Sequence, residues 1–274
     1  MSDPTPLSGP APSALPGPTP SPLPVGDVPA ASPRSIDLPV PAAALAIVAH
    51  PDDAEFQCGA TLAKWAAAGC VINHLVLTDG SKGTWDAHVD TEALVEQRRQ
   101  EQMEAASQLG SRGKVVMLGH VDGELQPTLH VRDQVAYWIR ALTPEVILAH
   151  DPWKRYRLHP DHRNAGWLAL DGLVAARDPH FFPHHDVGTH RPDAVLLFEA
   201  EEPDHVEDVS GFVDTKVRAL MAHRSQFVTT HAIPDDDDGT AAEAFRQRVL
   251  ARAAQVGVAA GVPAGEAFKA LTEL

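Results

Sequence analysis

From residue 42 onward, short apolar runs alternate with longer stretches in which apolar residues recur every three or four positions. The run AALAIVAH, ending at His50, is continuously apolar, which suits a strand buried on both faces. AEFQCGATLAKWAAAG follows with a helical period, Asp53 being the expected N-cap and Gly69 the stop. VINHLVLT, residues 71–78, predicts a second strand closed by Asp79 and Gly80. A polar loop, SKGTWDAHVD, leads to a helix over 94–109 that Gly110 ends. KVVMLG predicts a third strand, 130–142 a helix, and EVILAH (145–150) a fourth strand. After a polar, aromatic loop a helix runs from about Pro160 to about Ala176. Strands over 194–199 and 206–212 and a helix over 215–225 complete the expected order.

Strands alternating with helices imply βαβ units. The expected fold is therefore α/β, a Rossmann-like, mostly parallel sheet with helices on both faces. In such sheets the ligand crevice lies beyond the carboxyl ends of the strands. His50, Thr78-Asp79 and His150-Asp151 all fall at strand ends and so reach one edge. Neither GxGxxG nor GxxxxGK[ST] occurs, which argues against a dinucleotide or P-loop site.

More than half of the 24 prolines precede Ala42. That composition cannot bury enough apolar surface to offset ordering entropy, so residues 1–41 are expected to be a disordered tail and 42–274 one domain. The tail lacks the basic start and apolar core of a secretory signal, which leads to an expected cytoplasmic location. A formal net charge of -15 argues against nucleic acid as a partner, and no apolar run is long enough to span a membrane. Cys58 and Cys70 are expected to be reduced and structural. The expected partner is a small molecule, and a homo-oligomer is compatible with the sequence.

Two segments repeat one theme. AHPDDAE places His50, Asp52 and Asp53 directly after the first strand, and RLHPDHRNAG carries His159, Asp161 and His162. Adjacent carboxylates beside an apolar core are costly unless something pairs with them. His50 at a strand end and Asp53 opening a helix can aim at one point. If the later helix begins near Pro160, His162 sits in its first turn, close to the same edge. Two histidines and one carboxylate make a three-ligand hydrolytic zinc site with a position open to water. The competing reading makes both segments ordinary helix caps.

AHPDDAE with Gly59, the TDG of residues 78–80, HPDH before Arg163 and the helix RRQEQMEAASQLG together resemble the LmbE-like (PIG-L-type) N-acetylglucosaminyl deacetylases, over about residues 45–226. That family includes deacetylases of the mycothiol, bacillithiol and glycosylphosphatidylinositol pathways. The resemblance implies Zn2+ held by His50, Asp53 and His162, with Asp52 as general base and His159 as a charged or proton-donating partner. Asp161 is then expected to orient a histidine. The implied reaction is removal of an acyl group from an N-acetylated amino sugar or glycoconjugate by metal-activated water. The mycothiol-type enzymes place a tyrosine two positions before the second motif's first histidine. Here that position is Arg157, with Tyr156 beside it. Arg157 is thus open to three roles: oxyanion partner, binder of an acidic substrate group, or plain surface arginine.

Arg98 matches the family's helix arginine and, with Arg157 and Asp79, is expected to reach substrate. His150 is expected to line the crevice. Trp85 and Trp153 lie in loops over this edge, where sugar stacking and loop packing account for them equally well. His223 is a candidate to support the site from behind. DDDD (235–238) reads as a solvated acidic loop, since it lacks the spacing of a calcium loop. Three rival functions stand beside the deacetylase: an amidase acting on a mycothiol-type thiol conjugate, a non-haem iron oxygenase, and a non-catalytic metal-binding protein.

Overall fold

A strand that is apolar at every position needs helices on both sides of its sheet, and the computed structural model, which describes residues 33–274, supplies them. In chain order the elements are β1 (Ser35–Ile36), β2 (Ala43–Val48), α1 (Asp53–Ala67), β3 (Val71–Thr78), α2 (Thr91–Gln108), β4 (Val115–His120), α3 (Leu129–Leu142), β5 (Val146–His150), α4 (Pro160–Arg177), β6 (Ala194–Phe198), β7 (His205–Asp208), α5 (Val213–Leu220), α6 (Thr240–Ala260) and β8 (Gly265–Leu271). Among the described residues these strands form one eight-stranded sheet, ordered β1-β7-β8-β6-β5-β2-β3-β4. All neighbours pair in parallel except β8, which runs antiparallel between β6 and β7.

Alternate residues of β2 serve two cores. Ala44, Ala46 and Val48 pack with Leu62 and Trp65 of α1. Leu45, Ile47 and Ala49 pack with Val135, Ile139, Leu168 and Leu173 of α3 and α4. The chain moves outward from β2 to β3 and β4, then returns to place β5 on the other side of β2. Strand order therefore reverses between β2 and β5. That switch point is where a crevice opens in a parallel sheet, and His50 and His150 stand on its two sides.

The expected α/β fold is present, with particular differences. Asp53 does not cap α1. Asp52 holds the cap position with a left-handed backbone (φ 96°) and makes no side-chain cap bond, while the Asp53 carboxylate turns back to accept the His50 N–H at 2.8 Å. α2 begins three residues earlier than expected because Asp90 caps it, accepting from the Glu92 and Ala93 N–H groups. The helix expected over 215–225 stops at Leu220, and short 3-10 and π turns follow at Arg224–Gln226 and Phe227–His231. Asp237, expected in a merely solvated run, accepts from the Ala241 and Ala242 N–H groups and starts α6. Most of the expected disordered tail lies outside the described residues. Within them, Ser35 and Ile36 pair with β7, and Lys64 bridges Asp37 and Glu207 at 2.6 Å each, so contacts with the sheet begin before residue 42.

The strand β8 locks the helix that carries the site. Backbone at Cys58 leaves helical geometry (φ -141°), interrupting α1. The Ala60 and Thr61 N–H groups turn instead to Glu266, whose carboxylate also accepts the Thr61 hydroxyl at 2.6 Å and the Lys216 ammonium at 2.7 Å. Glu266→Ala leaves these donors buried without an acceptor. It is expected to lower unfolding free energy by about 3–5 kcal/mol in denaturant titration; a loss under about 1 kcal/mol would contradict this role.

The edge holding β1 carries a fully buried carboxylate, Glu207. Burial alone favours the neutral form of Glu207, but bonds from His205, the Leu38 N–H and Lys64 outweigh it and hold the carboxyl below its ordinary value. A carboxyl depressed in the folded state contributes stability above its unfolded pKa of about 4.3, and loses it as pH falls through the folded value. Glu207→Gln is expected to flatten the decline of stability below about pH 4.3. An unchanged slope would refute the assignment.

Candidate metal and catalytic site

The site is built around the Asp53 carboxylate. His50 Nδ1 lies 3.4 Å from Asp53 Oδ2, His150 Nε2 lies 3.2 Å from the same oxygen, and His162 Nε2 lies 3.3 Å from Oδ1. The three imidazoles come from the end of β2, the end of β5 and the first turn of α4. Gly166 lets α4 approach closely, since a Cβ there would sit 2.5 Å from the His150 carbonyl oxygen. His150 and His162 then stack at 4.4 Å between ring centroids. Burial alone would raise the pKa of Asp53; His162 and His150 outweigh it and keep the carboxylate ionised. His162 is neutral, its pKa pushed down to about 4 chiefly by burial, so it keeps a lone pair.

His50 is flanked by further carboxylates. Its Nε2 lies 3.2 Å from Asp122 Oδ1 and 3.3 Å from Asp161 Oδ2. Burial opposes a charged His50, but the bonds to Asp122, Asp161 and Asp53 prevail and raise its pKa well above the usual value. The pocket therefore favours positive charge. The donor atoms of His50, Asp53 and His162 lie within 4.8 Å of one another. Two imidazoles, one carboxylate and an anionic surround fit a divalent metal.

Asp52 is buried beside this group, and burial is the main cause that lifts its pKa to about 6. Its Oδ2 lies 3.3 Å from Arg98 Nη2. His159 stands exposed at the mouth, its ring 4.6 Å from that of His50 and 4.9 Å from that of His162. Its Nδ1 accepts the Asp161 N–H at 3.3 Å, making it the cap of α4. Burial and His50 lower its pKa. Asp161 is fully buried and holds the loop after β4 through the Gly123 and Leu125 N–H groups while facing His50.

Three residues expected near substrate have distinct placements. Arg98 is buried and donates to the Gly80 and Pro51 carbonyls at 2.9 and 2.6 Å, running so close beneath the loop that a Cβ on Gly83 would sit 2.1 Å from Nη1. Asp79 accepts the Ser81 and Asp122 N–H groups and joins the ends of β3 and β4. Arg157 is held in the site by Glu199 (2.5 Å), with His162 Nδ1 at 3.1 Å and His150 Nδ1 at 3.4 Å. Glu199, ionised with a pKa near 2 because His150 and Arg157 overcome its burial, had no expected role, and neither had Asp122. Both follow strand ends, which was the signal available for them. Trp153 is half exposed and packs edge-to-face on Trp167 at 5.1 Å; Trp85 is largely exposed.

Known proteins resemble this chain in sequence and in fold. Residues 45–172 match the family model described as PIG-L, GlcNAc-PI de-N-acetylase. Diacetylchitobiose deacetylase of Thermococcus kodakarensis is 36% identical over 186 residues, covering 67% of this chain and 69% of that protein. A probable N-acetyl-alpha-D-glucosaminyl L-malate deacetylase 2 of Bacillus cereus is 29% identical over 70% of this chain and 86% of its own. The solved N,N'-diacetylchitobiose deacetylase of Pyrococcus horikoshii superposes with a TM-score of 0.76 at 29% identity, covering 85% of this chain and 84% of that one. With motifs, fold and relatives in agreement, this chain belongs to the PIG-L, or LmbE-like, family of deacetylases.

Proposed function

We propose that the protein is a zinc-dependent hydrolase that deacetylates an N-acetylated amino sugar or its conjugate, with His50, Asp53 and His162 holding the metal. The observation that carries this reading is the convergence of those three donors at the sheet's switch point, with a second carboxylate, Asp52, beside them. The relatives named above are deacetylases rather than oxygenases, which favours hydrolysis over the oxygenase reading. No helix among the described residues is long and apolar enough to cross a membrane. The two buried, unpaired cysteines suit a reducing compartment such as the cytoplasm.

When bound, zinc polarises the amide carbonyl and lowers the pKa of a water from about 15.7 toward about 7. Asp52 accepts a proton from the attacking water as the new C–O bond forms, a contribution of about 10²–10⁴-fold. His159, exposed beside His50 and His162, is placed to meet the carbonyl oxygen, and the proton taken up by Asp52 passes by way of His159 to the departing amine as the C–N bond breaks. The products are acetate and the free amino sugar. Asp161 holds His50 through Nε2 and so fixes which nitrogen turns to Asp53. Arg157, anchored by Glu199, takes the place of the oxyanion-assisting group and presents a cation to the crevice. Arg98 holds the Pro51–Asp52 turn, and Asp79 the adjoining loops.

Elemental analysis and assays of amine release from N-acetylglucosamine and N,N'-diacetylchitobiose test this account. Asp52→Ala is expected to retain zinc and lose about 10²–10⁴-fold in kcat, whereas His162→Ala is expected to lose the metal. Full activity in zinc-loaded Asp52→Ala against both substrates would remove Asp52 as the base.

A further inference from the structure

Behind the crevice lies a buried polar chain that the reaction itself does not use. Asp52 adopts φ 96°, a left-handed backbone that costs a residue with a Cβ on the order of 1–3 kcal/mol unless its surroundings enforce it. Its N–H donates to Gln102 Oε1 at 3.0 Å. Gln102 is fully buried on α2, and its Nε2 donates to Glu55 Oε1 at 2.9 Å. Glu55 is fully buried in the first turn of α1, and its other oxygen lies 3.4 Å from Nε2 of His223, also fully buried. The order of these contacts fixes the Gln102 amide. Its nitrogen must face the carboxylate, so its oxygen must face Asp52. A leucine could fill the same volume without desolvating a carboxylate. The chain instead ends at the one backbone N–H whose direction sets the Pro51–Asp52 peptide plane, and through it the aim of the Asp52 carboxylate.

We propose that Gln102, oriented by Glu55, is a positioning residue for Asp52. It holds the left-handed turn so that the carboxylate keeps its place beside His50 and Asp53. The proposal rests on the reading of Asp52 as the base. It assigns Gln102 no contact with substrate or metal. Loss of the Gln102 oxygen leaves the Asp52 N–H buried without an acceptor and frees the peptide to rotate, and an error of about 1 Å in such a group can cost about 10²-fold in rate.

The test uses the zinc-loaded full chain with N-acetylglucosamine as substrate, measuring kcat, KM, zinc content and melting temperature. The variants are Gln102→Leu, Glu55→Leu, Glu55→Gln, Asp52→Asn and the double variant Asp52→Asn/Gln102→Leu. Gln102→Leu is expected to lower kcat about 10–100-fold, with KM within about twofold and zinc content unchanged. The double variant is expected to be no slower than Asp52→Asn, because Gln102 acts through that residue. Glu55→Leu gives an independent variant should Gln102→Leu fail to fold, and is expected to lower kcat in the same way. Glu55→Gln keeps an oxygen for the Gln102 amide and is expected to recover most of that loss. A folded, zinc-loaded Gln102→Leu with undiminished kcat, beside a slow Asp52→Asn, would overturn the positioning role alone. So would a double variant slower than Asp52→Asn by the full Gln102→Leu factor. Undiminished kcat in Asp52→Asn would overturn the base reading and the positioning role with it.

Discussion

The constraint on which the rest depends is a buried, ionised carboxylate at the middle of the sheet edge. Asp53 is removed from water just beyond the entirely apolar strand β2, where an unpaired charge would be costly. Three imidazoles surround it, delivered by β2, β5 and α4, and each arrives by a different route. The strand order has to reverse between β2 and β5 for His50 and His150 to meet, and α4 has to come close enough for His162 to stack on His150. The fold and the site are thus one arrangement seen at two scales. The surplus of carboxylate around His50, from Asp122 and Asp161, makes a cation the natural completion of the group.

The same logic separates residues that face the crevice from those that hold it open. Asp52 and His159 border the Asp53–histidine cluster under opposite conditions: one is buried and backed by Arg98 and Gln102, the other is exposed and caps α4. Arg157 lies between Glu199 and the two stacked histidines, so its charge is already partnered when it meets a ligand. Arg98 and Asp79 brace the loops after β2 and β3. Glu266, on the late strand β8, satisfies the N–H groups freed where α1 is interrupted, so the helix that carries Asp53 is held by a residue more than two hundred positions away.

The parts of the fold legible in the sequence were those in which one residue pattern has one solution. The apolar runs of β2 and β5 read as interior parallel strands, and the carboxyl ends of such strands share one edge, where the two His-Pro-Asp segments were expected to meet. The set His50, Asp53 and His162 was expected from that placement and from the family resemblance, and the structure brings these three side chains together. Where reading failed, a charge stood in a buried position. β8 carries Glu266 and Lys269 in seven residues and does not look like a strand until Thr61 and Lys216 are seen to pair with Glu266. Glu199 and Asp122 each follow a strand end, yet sequence alone does not say that a neighbouring histidine awaits them. Arg98 was expected to reach substrate because it matches the family's helix arginine, and that match says nothing of how deep the side chain lies. Only the glycines of the β3 loop, read in three dimensions, show that it passes underneath. The left-handed backbone of Asp52 was hidden for a similar reason, since a capping aspartate ordinarily has extended geometry.

The most direct test of the central claim is an anomalous-scattering map collected at the zinc edge from crystals of the zinc-loaded protein. The account predicts one strong peak per chain, ligated by His50, Asp53 and His162, with Asp52 outside the coordination shell and facing its open position. A peak ligated by His150, His162 and Glu199, or by His50, His159 and Asp161, would contradict it.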